Sequence, residues 1–188
     1  MLNRFLHNKM TDQGLKKTRL ITGVLFCILY PILLYLAYGP SKLDMMEYNR
    51  VWLSLDTQVV STYYANMIAN GTFFYYTLAH IIDFFFPLVY APFFISITEL
   101  SKRRSQPHKN HYKAASLFIW LIMILAFLDF VETGALLISV GTNPAIPSGI
   151  VITHVISKSA TGFIFYAVIG WFLYLIGRAI VWKIKGRK

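Results

Sequence analysis

The chain has 188 residues, is 56% hydrophobic and carries a formal net charge of +10. A soluble domain of this length does not need so much apolar surface, so the composition excludes an ordinary soluble protein and indicates a membrane protein. The single cysteine, Cys27, excludes an intrachain disulfide.

Four stretches are apolar over the length of about 20 residues that a membrane-spanning helix needs. In chain order they cover approximately 19–38, 73–98, 114–140 and 150–182. These four stretches leave little sequence for a soluble domain. We therefore predict an all-α fold, a polytopic bundle of four transmembrane helices, with residues 1–188 forming one membrane domain.

The first predicted span follows a basic arm, and Thr18 is in position to cap it. Pro31 lies within this span and lacks the N–H that would bond to the carbonyl of Cys27, so we expect a kink there. No small-residue cleavage site follows the apolar segment, which indicates a retained helix and not a signal peptide.

The connection over about 44–70, between the first and second spans, has a helical period. Its apolar positions recur every three or four residues, at Tyr48, Trp52, Leu55, Val59, Tyr63 and Met67. Polar residues lie between them. We predict an amphipathic helix outside the bilayer, which either lies on the membrane surface or packs as a lid over the bundle.

The second span contains Pro87 and Pro92, and we expect both to kink it. Because proline donates no hydrogen bond, the carbonyls of Asp83 and Leu88 should be left free. Free carbonyls inside a membrane are tolerated where they line a polar cavity. Beside an acidic side chain they suit the binding of a cation or a proton.

The basic residues are distributed unevenly along the chain. Three clusters, within 4–19, 102–113 and 178–188, hold five Lys or Arg residues each, whereas the first outer connection holds only Lys42 and Arg50. This is the positive-inside pattern, which predicts that both termini are cytoplasmic in a plasma membrane, most simply a bacterial inner membrane. The charge thus indicates topology and attraction to anionic lipid headgroups, and not a nucleic-acid partner.

Six ionisable residues lie within the predicted spans, namely His80, Asp83, Asp129, Glu132, His154 and Lys158. A charged side chain in hydrocarbon costs at least about 2.5 kcal/mol, so such residues are kept where they pair or function. A rise of about 1.5 Å per residue places five of them at similar depth in the outer half of the bilayer. His154 is nearer the surface.

Helical spacing groups these residues on three helix faces: His80 with Asp83, Asp129 with Glu132, and His154 with Lys158. Since none of these faces can point to lipid, the three should converge inside the bundle. Three carboxylates against one lysine leave negative charge that requires protons, a histidinium, a metal or a ligand.

Other interpretations of these residues stay open. Interhelical polar contacts of about 0.6–2 kcal/mol can simply hold helices together. His80 and His154 come from different helices and have the chemistry of axial haem ligands, although neighbouring carboxylates make a poor haem pocket. The carboxylates and histidines also have the ligand types of a zinc or two-metal site, but spacing across separate helices cannot establish one.

Two short motifs lie in the second and third spans: Asp83-x-x-x-Pro87-x-x-Tyr90 and Leu128-Asp129-x-x-Glu132. They resemble a class of small, uncharacterised four-helix membrane proteins of bacteria that carry the same two patterns. In that class an Asn often follows the Glu, where this chain has Thr133. The resemblance implies that Asp83, Asp129 and Glu132 act as one unit, and it implies no known activity.

We expect the cluster to bind, or to move, a proton, a cation or a small polar ligand. Asp83, Asp129 and Glu132 would be the acceptors, with Lys158 and His80 tuning their charge. One alternative is a membrane-embedded enzyme acting on a lipid or isoprenoid, with or without a metal, using a carboxylate as general base. Another is an accessory or assembly subunit of a membrane complex. The pattern names no cofactor, and a homo-oligomer or a membrane-complex partner would supply the room for a translocation path.

Overall fold

The computed structural model of the chain describes residues 10–42, 44–104 and 109–185. Within these ranges the chain forms helices and no strand. The helices are α1 (Asp12–Tyr38), α2 (Met45–Leu53), α3 (Thr57–Ala69), α4 (Phe73–Phe85), α5 (Pro87–Arg104), α6 (Lys109–Thr142) and α7 (Ser148–Lys185).

Four helical stretches are long and apolar enough to cross a membrane: Asp12–Tyr38, Phe73–Arg104, Asn110–Thr142 and Ser148–Lys183. The predicted all-α fold with four such helices is therefore confirmed. In the bundle α1 packs along α4 and α5, α5 packs on α6, and α6 packs along α7. The outward surfaces of α1 and α7 expose large apolar side chains, as lipid-facing helices do.

The first helix begins earlier than the predicted span. Thr11, and not Thr18, caps it, because the Thr11 hydroxyl accepts a hydrogen bond of 3.0 Å from the N–H of Gly14. Thr18 lies inside the helix. The helix also continues through Pro31 to Tyr38 as one element. The polar residues after Thr11 join the helix because a cap placed there satisfies the first free N–H groups.

The second span is divided at Phe86, which separates α4 from α5. The helix is interrupted at Pro87, where a kink was predicted. The carbonyl of Asp83 was expected to be free, but it is not. It accepts a hydrogen bond of 3.0 Å from the N–H of Phe86, a tighter turn that supplies the donor Pro87 lacks. Pro92 lies inside α5, and the span extends to Arg104, beyond the predicted end at residue 98.

The outer connection forms two helices, α2 and α3, where one was predicted. Leu55 adopts a positive φ of 56° and interrupts the helical path. Asp56 then starts α3 by accepting a hydrogen bond of 2.8 Å from the N–H of Gln58. Because of this interruption, the buried face of α3 does not continue the apolar face predicted for a single helix. Val60 is buried, whereas Leu55 and Val59 are exposed.

We call α2 and α3 together the lid. Its buried residues form one apolar cluster with side chains of α4, α6, α7 and the turn before α7. The lid side of this cluster comprises Tyr48, Val51, Trp52, Val60, Tyr63, Tyr64 and Met67. The bundle side comprises Tyr76, Leu136, Ile146 and Val151. The connection was predicted either to lie on the membrane surface or to pack over the bundle, and in the structure it packs over the bundle.

Candidate functional site

A cavity of about 200 Å³ lies where the lid meets the bundle, and we call it the polar pocket. Its polar lining comes from α2, α4, α6 and α7 and comprises Tyr48, His80, Asp83, Glu132 and Lys158. The rest of the lining is largely apolar and comes from α1, α2 and α4, with Leu33, Leu34, Ala37, Tyr38, Met45 and Ala79. Four of the six predicted residues thus meet around one cavity.

Lys158 is the cation of the polar pocket and contacts two groups there. Its Nζ lies 3.8 Å from Oε1 of Glu132, with the two side chains 30% and 17% exposed. The same Nζ lies 4.2 Å from the centroid of the Tyr48 ring. Attraction between Lys158 and Glu132 is stronger here than in water because the surroundings are largely apolar, and the aromatic face adds a cation–π contact.

Asp83 faces the same cavity from α4. Its Oδ2 accepts a hydrogen bond of 3.2 Å from the Thr133 hydroxyl of α6, and Thr133 is buried. The described contacts pair Lys158 with Glu132 and give Asp83 a neutral donor. If both carboxylates are ionised, the polar pocket therefore carries one negative charge more than Lys158 neutralises.

Asp129 is placed apart from the other two carboxylates. Its Oδ2 accepts a short hydrogen bond from the Tyr90 hydroxyl of α5, and it does not line the polar pocket. Asp129 and Glu132 are three residues apart and lie on the same side of α6, yet one carboxylate contacts Tyr90 of α5 and the other contacts Lys158 of α7. The predicted three-carboxylate unit therefore has two members at the cavity and one beside it.

His154 is fully buried beneath the lid, where its ring lies 4.0 Å from the Trp52 ring centre to centre. Its Nδ1 is 3.1 Å from the carbonyl oxygen of Glu132, and its Nε2 is 3.4 Å from the Tyr48 hydroxyl. A carbonyl only accepts, so Nδ1 carries the proton. Burial raises the pKa of the Tyr48 hydroxyl well above its usual range, so this hydroxyl stays protonated and donates to Nε2.

His80 lines the polar pocket with a defined tautomer. Its Nδ1 lies 2.8 Å from the carbonyl oxygen of Tyr76 and donates to it, which leaves the lone pair of the neutral ring on Nε2. The ring packs against Tyr76 at a centroid distance of 4.3 Å. His80 can therefore accept a proton or a hydrogen bond at Nε2.

The described residues do not fit the haem or the metal arrangements that the residue types permit. The Nε2 atom of His154 is occupied by Tyr48, and its ring face is covered by Trp52, so no haem plane fits between His154 and His80. Within 10–42, 44–104 and 109–185, no three His, Cys, Asp or Glu side chains are grouped to hold a metal ion.

Three residues of this region are absent from the predicted site: Tyr48, Thr133 and Tyr90. Tyr48 belongs to the lid. The helical period of the lid's apolar residues indicates that Tyr48 is buried, but it does not indicate a contact with Lys158. Thr133 directly follows Glu132 and was the only place where the chain departs from the motif. Tyr90 lies on the same predicted face as Asp83, seven residues on, and this spacing is the signal that would have indicated it.

A second buried ionic group lies at the other end of α5. Nζ of Lys102 is 2.9 Å from Oε2 of Glu99, and both side chains are completely buried. Arg103 also contacts Glu99, at 3.2 Å, and reaches Asp12 of α1 at 2.7 Å. The prediction missed this group because it ended the second span at residue 98. The spacing of three between Glu99 and Lys102 is the sequence signal for it.

No family model matches the chain, and comparison with curated proteins and with solved structures gives no match. The resemblance to bacterial four-helix membrane proteins therefore stays a prediction.

Proposed function

We propose that the chain binds a proton or a small cation in the polar pocket, with Asp83 and Glu132 as the acceptors. The observation that carries this proposal is the charge balance: two carboxylates line the cavity, and a single lysine contacts one of them. An uncompensated carboxylate away from water is costly, and a proton or a cation removes that cost.

The neighbouring groups support the same assignment. Thr133 donates to Asp83, and Nε2 of His80 provides a neutral acceptor on the same wall of the cavity. A cation would find carboxylate oxygens, while a proton would find a second base within the pocket. A small polar ligand with one positive charge is recognised by the same set, since the cavity of about 200 Å³ exceeds the size of a bare ion.

The proposal includes an orientation. We place both termini on the cytoplasmic side and the lid on the outer side of a bacterial inner membrane, because the basic clusters favour this topology. The polar pocket then lies toward the outer half of the bilayer, beneath the lid. A cation or proton would enter from the outer side.

Exchange of Asp83 for Asn tests the proposal. Asp83→Asn keeps the shape and can still accept from Thr133, but it removes the charge. We expect monovalent-cation binding by the purified protein, measured by calorimetric titration, to weaken about tenfold or more, while the melting temperature is unchanged or higher. If the pocket binds a proton instead, the melting temperature should depend less on pH in this variant than in the unaltered protein. Glu47→Gln, which removes an exposed acid of the lid, is the matched control and should keep binding.

A double variant decides between binding and structural support. Asp83→Asn with Glu132→Gln removes both acceptors and should abolish the cation binding that remains in the single variant. If this variant binds protons and cations like the unaltered protein and is equally stable, the carboxylates serve only to hold the helices together, and the proposal is refuted.

A second function is favoured by the apolar wall of the polar pocket. Leu33, Leu34 and Met45 line the same cavity as the carboxylates, which is the arrangement that would hold a lipid or isoprenoid chain beside a general base. Conversion of a labelled lipid extract by the purified protein, lost in Asp83→Asn, would support this enzyme. If no lipid is converted and the expected cation binding is observed, the result would favour the binding function over the enzyme.

A further inference from the structure

A second cavity, of about 210 Å³, lies at the opposite end of the bundle from the lid, and we call it the arginine pocket. Three helices meet there, near the start of α1, the end of α5 and the end of α7. The cavity is lined by Arg19, Ile97, Leu100, Ser101, Arg104, Leu175, Arg178, Ala179 and Trp182. Each of the three helices supplies one guanidinium group.

The acidic groups at this end of the bundle are directed elsewhere. Asp12 pairs with Arg103 at 2.7 Å, and Glu99 pairs with Lys102 and Arg103 at 2.9 and 3.2 Å. Among the described residues, none that line the arginine pocket is acidic. Three guanidinium groups therefore line one cavity whose described walls carry no carboxylate, an arrangement that favours an anion.

The walls of the arginine pocket also have the character of a membrane interface. Arg178 lies 5.3 Å from the centroid of the Trp182 ring, and its Nη1 is 3.4 Å from the Tyr174 hydroxyl, so its guanidinium is held by aromatic neighbours. Trp182 and Ala179 are exposed and Ile97 is half-buried, so the cavity presents accessible apolar surface beside the arginines. A ligand with an anionic head and an apolar continuation meets complementary surfaces here.

We propose that the arginine pocket binds the phosphate group of an anionic membrane lipid. Guanidinium groups bind phosphate through two parallel N–H···O bonds, and the Ser101 hydroxyl provides a further polar contact on the same wall. The apolar residues beside the arginines then receive the start of the acyl chains. This site is separate from the polar pocket, and the proposal does not depend on the function assigned there.

Lipid retention measured by native mass spectrometry tests the proposal. The unaltered chain, released from nanodiscs of phosphatidylcholine with one-fifth phosphatidylglycerol, should retain phosphatidylglycerol preferentially. The variant Arg19→Gln, Arg104→Gln, Arg178→Gln should lose this preference by about tenfold or more, since it loses the paired N–H···O bonds that guanidinium groups make to a phosphate. Helix content by circular dichroism should be unchanged.

A charge-matched variant separates a built site from general attraction. The triple variant Lys16→Gln, Lys17→Gln, Lys113→Gln removes the same charge from exposed positions at the same end of the bundle. Because none of these lysines lines the arginine pocket, this variant should keep the preference for phosphatidylglycerol. Equal losses in the two triple variants, or equal retention of phosphatidylcholine and phosphatidylglycerol by the unaltered chain, would overturn the proposal.

Inorganic phosphate distinguishes a lipid headgroup from a soluble anion. Added at millimolar concentration, it should leave the retained phosphatidylglycerol in place, because it lacks the acyl chains that contact Ile97, Ala179 and Trp182. If it displaces the lipid, and does so only when the three arginines are present, the pocket is a site for a soluble phosphate and the lipid assignment is wrong. The single variant Arg178→Lys should retain an intermediate preference, since it keeps the charge but loses the paired donors.

Discussion

The ammonium group of Lys158 lies 4.2 Å from the centroid of the Tyr48 ring. Lys158 belongs to α7, which crosses the membrane, whereas Tyr48 belongs to α2 of the lid. The Tyr48 hydroxyl is also 3.4 Å from Nε2 of His154. One lid residue thus contacts two ionisable groups of the bundle, so the surroundings of the buried charges depend on an element outside the four long helices.

Substitutions of Tyr48 should separate its two contacts. Tyr48→Phe keeps the ring over Lys158 and removes the hydrogen bond to His154, which should cost about 1 kcal/mol of stability. Tyr48→Leu removes the ring face and part of the packing of the lid cluster as well, and should cost about 1–4 kcal/mol more. Thermal unfolding in one detergent would measure both changes.

The same changes at Tyr35 provide the control, because that residue is 70% exposed on α1. Tyr35→Phe and Tyr35→Leu should each shift the melting temperature little. If Tyr48→Leu destabilises the protein no more than Tyr48→Phe does, the ring contact with Lys158 contributes nothing.

Charge removal at Lys158 should reveal its partner. Lys158→Met leaves Glu132 without a cation and should cost about 1–3 kcal/mol, between the values for exposed and fully buried pairs. Adding Glu132→Gln should recover much of this loss, whereas adding Asp129→Asn should not, because Asp129 bonds to Tyr90 instead. Unfolding measurements on the single and double variants form a double-mutant cycle. Equal recovery with both partners would contradict the pairing.

The fully buried pair at the end of α5 should matter more for stability than the exposed one beside it. Glu99→Gln removes the carboxylate that contacts the completely buried Lys102 ammonium and should cost about 3–5 kcal/mol, and adding Lys102→Met should restore a large part. Asp12→Asn breaks the contact of Arg103 with a side chain that is 62% exposed, and should cost about 0–1 kcal/mol. Chemical unfolding would compare the three variants, and similar costs for Glu99→Gln and Asp12→Asn would refute this ranking.

Membrane orientation should be visible by cysteine labelling. In a Cys27→Ser background, we introduce one cysteine by Gln58→Cys in the lid and another by Lys113→Cys near the start of α6, both exposed positions. An impermeant maleimide added to intact cells should label position 58 alone, and position 113 should react only after the membrane is opened. The reverse result would show that the basic clusters face outward, against the positive-inside pattern.

The sequence by itself determined the number and order of the membrane-crossing helices. A run of about 20 apolar residues in lipid must satisfy its backbone hydrogen bonds internally, and that local requirement makes such a run a helix whatever its neighbours are. The same reasoning predicted that ionisable residues of three helices would turn inward. His80, Asp83, Glu132 and Lys158 do line one cavity.

Tertiary structure decided the pairing of these groups. Helical spacing places Asp129 and Glu132 on nearby faces of α6, but the rotation of each helix in the bundle determines that one meets Tyr90 and the other Lys158. No local pattern encodes that rotation, because it results from the packing of all the helices together. The same holds for Tyr48, whose contact with Lys158 exists only once the lid has packed.

The lid shows the same limit at the level of secondary structure. The apolar residues of the connection keep a helical period, yet the chain turns at Leu55 with a positive φ. The sequence has no glycine at this position that would have predicted such a turn. The cost of this conformation is offset by the burial of Val60 and Tyr64 against the bundle, together with the Asp56 cap that starts α3. Periodicity therefore predicted the helical character of the lid, whereas the contact with the bundle decided where its helix breaks and which of its residues are buried.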